Sequence, residues 1–357
     1  MSSQGESRCG TTLLVAVIVV SLVGLGLHLS RYAALVEGRL RPAAQSVTAG
    51  SGAPARGTSG GPGVSNAYGA NGSLQVSPSC LRNDNPPTSA KIPADDPFSH
   101  DLSGYGSGAE LQRVYAVEGR QIVPIDGAGP IRDCDAQLWS LVSRTTPDHV
   151  IAVVSEFMVF DADPHAPHDA DVVLGEVEPR LGHDPSSWRL SIAPNGSDDI
   201  DLAIDVAHEV GHLASLNNSQ VRKADPCPTE ETEVGCLTDR SFLLGFTDTT
   251  WTDAEWKEWG TAVDTSDADK RRKALDAFAV AHSANFVTSY AATDPMEDFA
   301  ETFAYWCVFG PHNPLMGDYL AGDPTDGAAK ITWMDAQSNG IADEHMQGCE
   351  RMRELTR

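Results

Sequence analysis

Residues 198–216 (DDIDLAIDVAHEVGHLASL) constrain this chain more than any other stretch. Ile200, Ile204, His208 and His212 form one row at helical spacing, and Leu202, Val206, Val210 and Leu213 make the other faces apolar. A helix apolar on nearly every side belongs inside a core. Ser197, Asp198 and Asp199 offer N-caps and negative charge where the helix dipole favours it. The polar trio His208, Glu209 and His212 must then find partners away from water. Two histidines four apart lie one turn apart on one face, which suits neutral imidazoles converging on zinc with a coordination position left open. Glu209 follows the first histidine, beside such an ion rather than facing it, where a general base acting on zinc-bound water belongs. Gly211 costs helix propensity but permits another backbone to approach closely.

A third ligand has to come from elsewhere. Position 218 is Asn218, which excludes the three-histidine pattern of the metzincins. The segment 290–301 (YAATDPMEDFAE) offers carboxylates on a helix opened by Asp294-Pro295, with proline at its first turn. Glu297 and Glu301 stand one turn apart on that helix. One of them can bind the metal while the other orients a ligand histidine through its distal ring nitrogen. Asp294 followed three residues later by Glu297 also has the form of a capping arrangement, which would leave Glu301 as the ligand.

A His-Glu-x-x-His helix followed by Glu-x-x-x-acid on a second helix resembles the gluzincin metallopeptidases. More narrowly, Tyr290 seven residues before Glu297, with Phe299-Ala300-Glu301 after it, resembles the catalytic domain of anthrax lethal factor and its relatives. The likeness covers the HEVGH helix and residues 289–306 (SYAATDPMEDFAETFAYW), a small part of the chain. It implies a zincin-like fold in which His208, His212 and Glu297 bind Zn2+, Glu209 is the base and Glu301 stands behind a ligand. Tyr290 would then donate to the oxyanion or lie near the zinc. The expected function is hydrolysis of a peptide or protein substrate. The rival is a non-catalytic zinc-containing binding or scaffolding domain, in which Glu209 and Tyr290 would have no task. An edge strand beside the active helix would receive extended peptide in such a fold, and residues 188–193 (WRLSIA) are the candidate.

The formal charge of −25 argues against nucleic acid as a partner, because no basic stripe is present to release counterions from phosphates. An acidic surface favours solubility and basic partners. Residues 11–30 hold no Asp, Glu, Lys or Arg, long enough for a signal anchor or signal peptide. Arg31, Arg39 and Arg41 after the span would, by the positive-inside rule alone, keep the bulk of the chain in the cytoplasm. The cysteines argue the opposite. Six of the seven follow the span (Cys80, Cys134, Cys227, Cys236, Cys307, Cys349), an even set that fits three disulfides in an oxidising compartment. Cys227 and Cys236 are the readiest pair. The expected location is therefore membrane-anchored with an extracytoplasmic domain, or secreted.

Three regions follow: an anchor over 1–30, a Gly/Ser/Pro-rich linker over 31–97 unable to bury enough apolar surface to order itself, and a folded domain over 98–357. The domain begins with strand patterns at 111–125 (a hairpin turning at Glu118-Gly119), 150–160, 171–177 and 188–193, interrupted by a helix at 134–144. Helices dominate afterwards: 198–216, 253–263, 268–287 and 295–309. Strands first and helices after predict an α+β fold. The loop 161–171 (DADPHAPHDAD) is a candidate second cation site, although its prolines and polarity suit an exposed connection equally. Trp251, Trp256 and Trp259 read as helix-packing residues before they read as a binding platform.

Overall fold

The computed structural model describes residues 110–125, 129–162, 173–180, 184–194, 199–313, 327–337 and 340–356, with positions 76, 80, 102, 105, 108, 109, 316 and 317 besides. The span at 11–30, Cys9, the Ser197 and Asp198 caps and the inner part of the 161–171 loop lie outside these residues. Among the described residues no helix is long and apolar enough to cross a membrane.

The fold is α+β with a mixed sheet. Strand β1 (Glu110–Glu118) turns through Gly119, at φ 64°, into β2 (Gln121–Pro124), the hairpin its alternation predicts. Helix α1 (Asp133–Thr145) and the single turn α2 (Asp148–Ile151) lead to β3 (Val154–Asp161). The apolar run expected to be strand from 150 thus begins as helix, because the chain leaves Pro147 in a helical turn that closes through Ala152. Strands β4 (Gly175–Pro179) and β5 (Trp188–Ile192) complete a sheet of order β2-β1-β3-β5-β4, in which only β3 and β5 run parallel.

That order corrects the expected edge strand. β5 is hydrogen-bonded on both sides, by β3 and β4, and all five of its residues are buried. The chain passes beyond β5 to lay down β4 at the edge and then returns. Arg189 of β5 lies opposite Glu156 of β3 and Glu178 of β4. Its guanidinium pairs with both carboxylates, and Arg180 meets Glu156 from a second direction at 2.9 Å. A slip of one residue would bury these charges without partners, so the network specifies register.

Helix α3 (Asp199–Leu216) follows, then a small sheet of order β6-β8-β7 from Val221–Arg222, Gly235–Leu237 and Glu231–Thr232. Next come α4 (Phe242–Thr250), α5 (Asp253–Val263), α6 (Ala268–Ala281), α7 (Pro295–Phe309), α8 (Ala328–Asp335) and α9 (Ile341–Met352). α6 stops at Ala281, shorter than expected, and the chain continues through two 3₁₀ turns, Ser283–Asn285 and Ala291–Thr293. Trp188, Leu190 and Ile192 from the sheet join Leu202, Val206 and Leu213 of α3 and Phe299 and Phe303 of α7 in the main core. Trp251 packs with Phe278 and Phe286, flanked by Trp256 and Trp259, in a core cluster of its own.

The six cysteines pair as Cys80–Cys134, Cys227–Cys236 and Cys307–Cys349. The first bond revises the domain boundary. Cys80 and Val76, inside the stretch expected to be linker, are buried in the main core.

Helix α9 crosses α1 at Gly348, where an added Cβ would lie 1.8 Å from the carbonyl oxygen of Thr145. Gly348→Ala is therefore expected to destabilise the fold by at least about 2 kcal/mol, the backbone having no room to yield. Gly245, inside α4, has nothing within 4 Å of an added Cβ, and Gly245→Ala should gain about 0.5–1 kcal/mol. Urea denaturation of both variants checks the pair. Equal midpoints would show that α9 does not meet α1 so closely.

Candidate metal site

Helices α3 and α7 pack against each other, and at Gly211 the α3 backbone comes close to that of α7. A Cβ there would stand 3.0 Å from Ala300 Cα and 3.4 Å from Ala300 O. This is the close approach that the glycine in the HEVGH helix predicts. On α7, Asp294 caps the helix through its Oδ1, which accepts from Met296 N at 2.8 Å, and Pro295 occupies the first turn. The cap is closed without Glu297, whose carboxylate turns toward α3.

Three donor atoms converge between the helices. His208 Nε2 and His212 Nε2 lie 3.0 Å apart, and Glu297 Oε2 lies 3.1 and 3.3 Å from them. A tetrahedral ion with bonds of about 2.0–2.1 Å sets its ligand atoms roughly 3.3 Å apart, close to these separations. Glu297 Oε2 is buried between the two imidazoles. His208, His212 and Glu297 thus fit a zinc-type ion. Glu301 stands behind them: its Oε1 is 2.9 Å from His208 Nδ1, and its Oε2 accepts from Thr288 Oγ1 at 2.7 Å. A carboxylate there holds the ring orientation and raises the basicity of the opposite ring nitrogen.

Of the six residues expected at the site, all six are brought together. Tyr290 lies with its ring 5.8 Å from that of His208 and hydrogen-bonds to Glu297. Glu209, 5 % exposed, lies against the start of β4. Gly175 at the start of that strand leaves it room, since an added Cβ would fall 2.8 Å from Glu209 Oε1. Residues 188–193 are not at this edge. Trp251, Trp256 and Trp259 pack among themselves, and Trp259 donates to the carbonyl of Thr293 at 2.8 Å, so they brace the turn before α7.

Burial, followed by the nearby carboxylates of Glu297 and Asp205, pushes Glu209 up to about 8, against the pull of His208. Glu176 on β4 also rises to about 8, from burial first and then from Glu178, Glu209, Glu233 and Glu297. Glu297 moves the opposite way. Burial opposes its ionisation, yet the imidazoles of His212 and His208 prevail and hold it well below the usual carboxylate range. His208 is in turn pulled up by Glu297 and Glu301 despite its burial. Tyr290 is held in its protonated form by burial and by Glu297.

Thr288 and Gly175 have no counterpart in the sequence reasoning. A threonine two residues before Tyr290 carries no spacing rule that marks it as a partner of Glu301. A glycine opening a short strand signals only that something approaches closely, without saying what. Comparison with family models, with curated proteins and with solved structures finds no match to this chain.

Zinc titration against a competing chelator tests the arrangement. Glu297→Ala is expected to lose stoichiometric zinc, and Glu301→Ala to weaken it by about 10- to 100-fold. Thr288→Val, which removes only the hydroxyl behind Glu301, should weaken it by about 10-fold. Full binding in Glu297→Ala with loss in Glu301→Ala would reverse the two roles.

Proposed function

We propose that this chain is a zinc metallopeptidase of zincin-like fold and gluzincin type. The observation that carries the reading is the convergence of His208, His212 and Glu297 beside a buried Glu209. A metal held only for structure has no use for Glu209 in that place. Zinc bound to the three residues would act as a Lewis acid, lowering the pKa of a water and polarising the scissile carbonyl.

The remaining work falls to the chain's own groups. Glu209 takes the proton of the attacking water and returns it to the leaving amine. Tyr290, kept protonated, is a hydrogen-bond donor for the developing oxyanion. β4 pairs with β5 along one side only among the described residues, so its other side can take an extended peptide by strand addition. The formal charge of −25 favours substrates carrying basic residues. Three disulfides support an extracytoplasmic setting, membrane-anchored through residues 11–30 or secreted.

Glu209→Gln keeps the shape of the base and its hydrogen bonding while removing proton acceptance at neutral pH. The variant is expected to fold, to retain the zinc content of the wild type and to lose at least about 100-fold in cleavage of any peptide the wild type cuts. Metal analysis paired with mass spectrometry of a digested peptide library reads both. Undiminished cleavage would remove Glu209 from the mechanism. A wild-type chain with full zinc and no cleavage across libraries rich in basic residues would favour the binding-domain reading.

Gly175→Ala tests the placement of the base. The added methyl collides with the Glu209 side chain rather than with backbone, so folding and zinc should hold while turnover drops about 10- to 100-fold. Unchanged turnover would show that Glu209 does not work from its place against β4.

A further inference from the structure

A second group of metal-competent side chains lies where α2 meets α9. His149 sits on α2, Glu344 and His345 near the start of α9, and one ligand atom from each falls within 4.8 Å of the others. His149 and Glu344 face solvent, with Nε2 of the one 3.1 Å from Oε2 of the other. His345 is different. It is 1 % exposed, and neither of its ring nitrogens has a hydrogen-bond partner. Its ring stands edge-on to Phe303 at 5.0 Å and 6.4 Å from the ring of His149.

Protein interiors rarely leave a polar group in that condition, because the lost hydration is not recovered. Bland packing explains the Phe303 contact, but not why the histidine is kept at a place where a second imidazole and a carboxylate reach the same point. Two imidazoles and one carboxylate are a donor set that borderline divalent ions favour, and zinc above all. We infer that His149, Glu344 and His345 form a second zinc-type site, separate from the one between α3 and α7.

Exposure of His149 and Glu344 gives the ion an entry path and leaves a position for water. The site joins α2, immediately ahead of β3, to α9. Helix α9 is already bonded to the ligand-bearing helix α7 through Cys307–Cys349 and packed on α1 at Gly348. An ion there ties α2 to α9 and takes no part in hydrolysis.

The test is zinc per chain, measured by metal analysis after equilibrium dialysis of the full-length protein against low-micromolar zinc. His149→Ala/Glu344→Gln changes exposed side chains only and is expected to bind one zinc fewer than the wild type, with unchanged far-UV circular dichroism. Cobalt substitution should show the same deficit in visible absorbance. Equal zinc in the two proteins overturns the site, whatever the content of the α3–α7 site, because only the difference is read. Should the double variant lose its fold, His149→Ala alone serves. It is expected to weaken the second zinc by at least about 10-fold, and an unchanged affinity overturns the proposal equally.

Discussion

Everything at the candidate site depends on how closely α3 and α7 approach. With no side chain at position 211, the α3 backbone comes up against Ala300. At that separation residues one turn apart on one helix meet residues one turn apart on the other. His208 and His212 face Glu297, and Glu301 falls behind His208. A larger residue at 211 would have to push Ala300 away, and the donor atoms would separate with it. Close packing of helices usually serves stability; here it also sets distances of about 3 Å between groups nearly ninety residues apart.

Rotation of α7 about its own axis needs a separate restraint. Asp298 accepts from Trp251 Nε1 at 2.7 Å and pairs with the buried ammonium of Lys330, which rests 4.0 Å from the centre of the Phe286 ring. Burial pushes Asp298 up to about 6 even with Lys330 beside it, so the pair adds little net stability. It does penalise any rotation that parts the two charges. Further along, Trp306 donates to Asp335 at 3.0 Å and Cys307 is bonded to Cys349. The face carrying Glu297 and Glu301 is thereby aimed by contacts on the helix's other sides.

The same packing concentrates acidic groups, two of which, Glu176 and Glu209, are pushed up to about 8 by burial first. Glu176, Glu209, Glu297 and Glu301 lie near enough for their carboxylates to perturb one another, away from bulk water. Such a cluster repels itself unless cations share it.

The histidines, their helix and the buried character of that helix were legible from residues 198–216, because helical periodicity is local and four-residue spacing fixes a shared face. The hairpin at Gly119, the start of α7 at Asp294-Pro295 and the Cys227–Cys236 bond were legible for the same reason: each rests on contacts a few residues apart. Glu297 against Glu301 was not, since both lie on one face of α7 and only the depth of its packing on α3 puts the first at the imidazole Nε2 atoms and the second at Nδ1. Nor was the true edge strand: β5 and β4 alternate too similarly for sequence to show which one the chain lays outside. Thr288, Gly175 and the His149–Glu344–His345 group belong to the same class, residues of ordinary type whose partners are distant in sequence. What the sequence by itself determined is the local chemistry of each helix; which donor faces which was decided by tertiary packing, because that choice turns on ångström-scale separations between segments that share no periodicity.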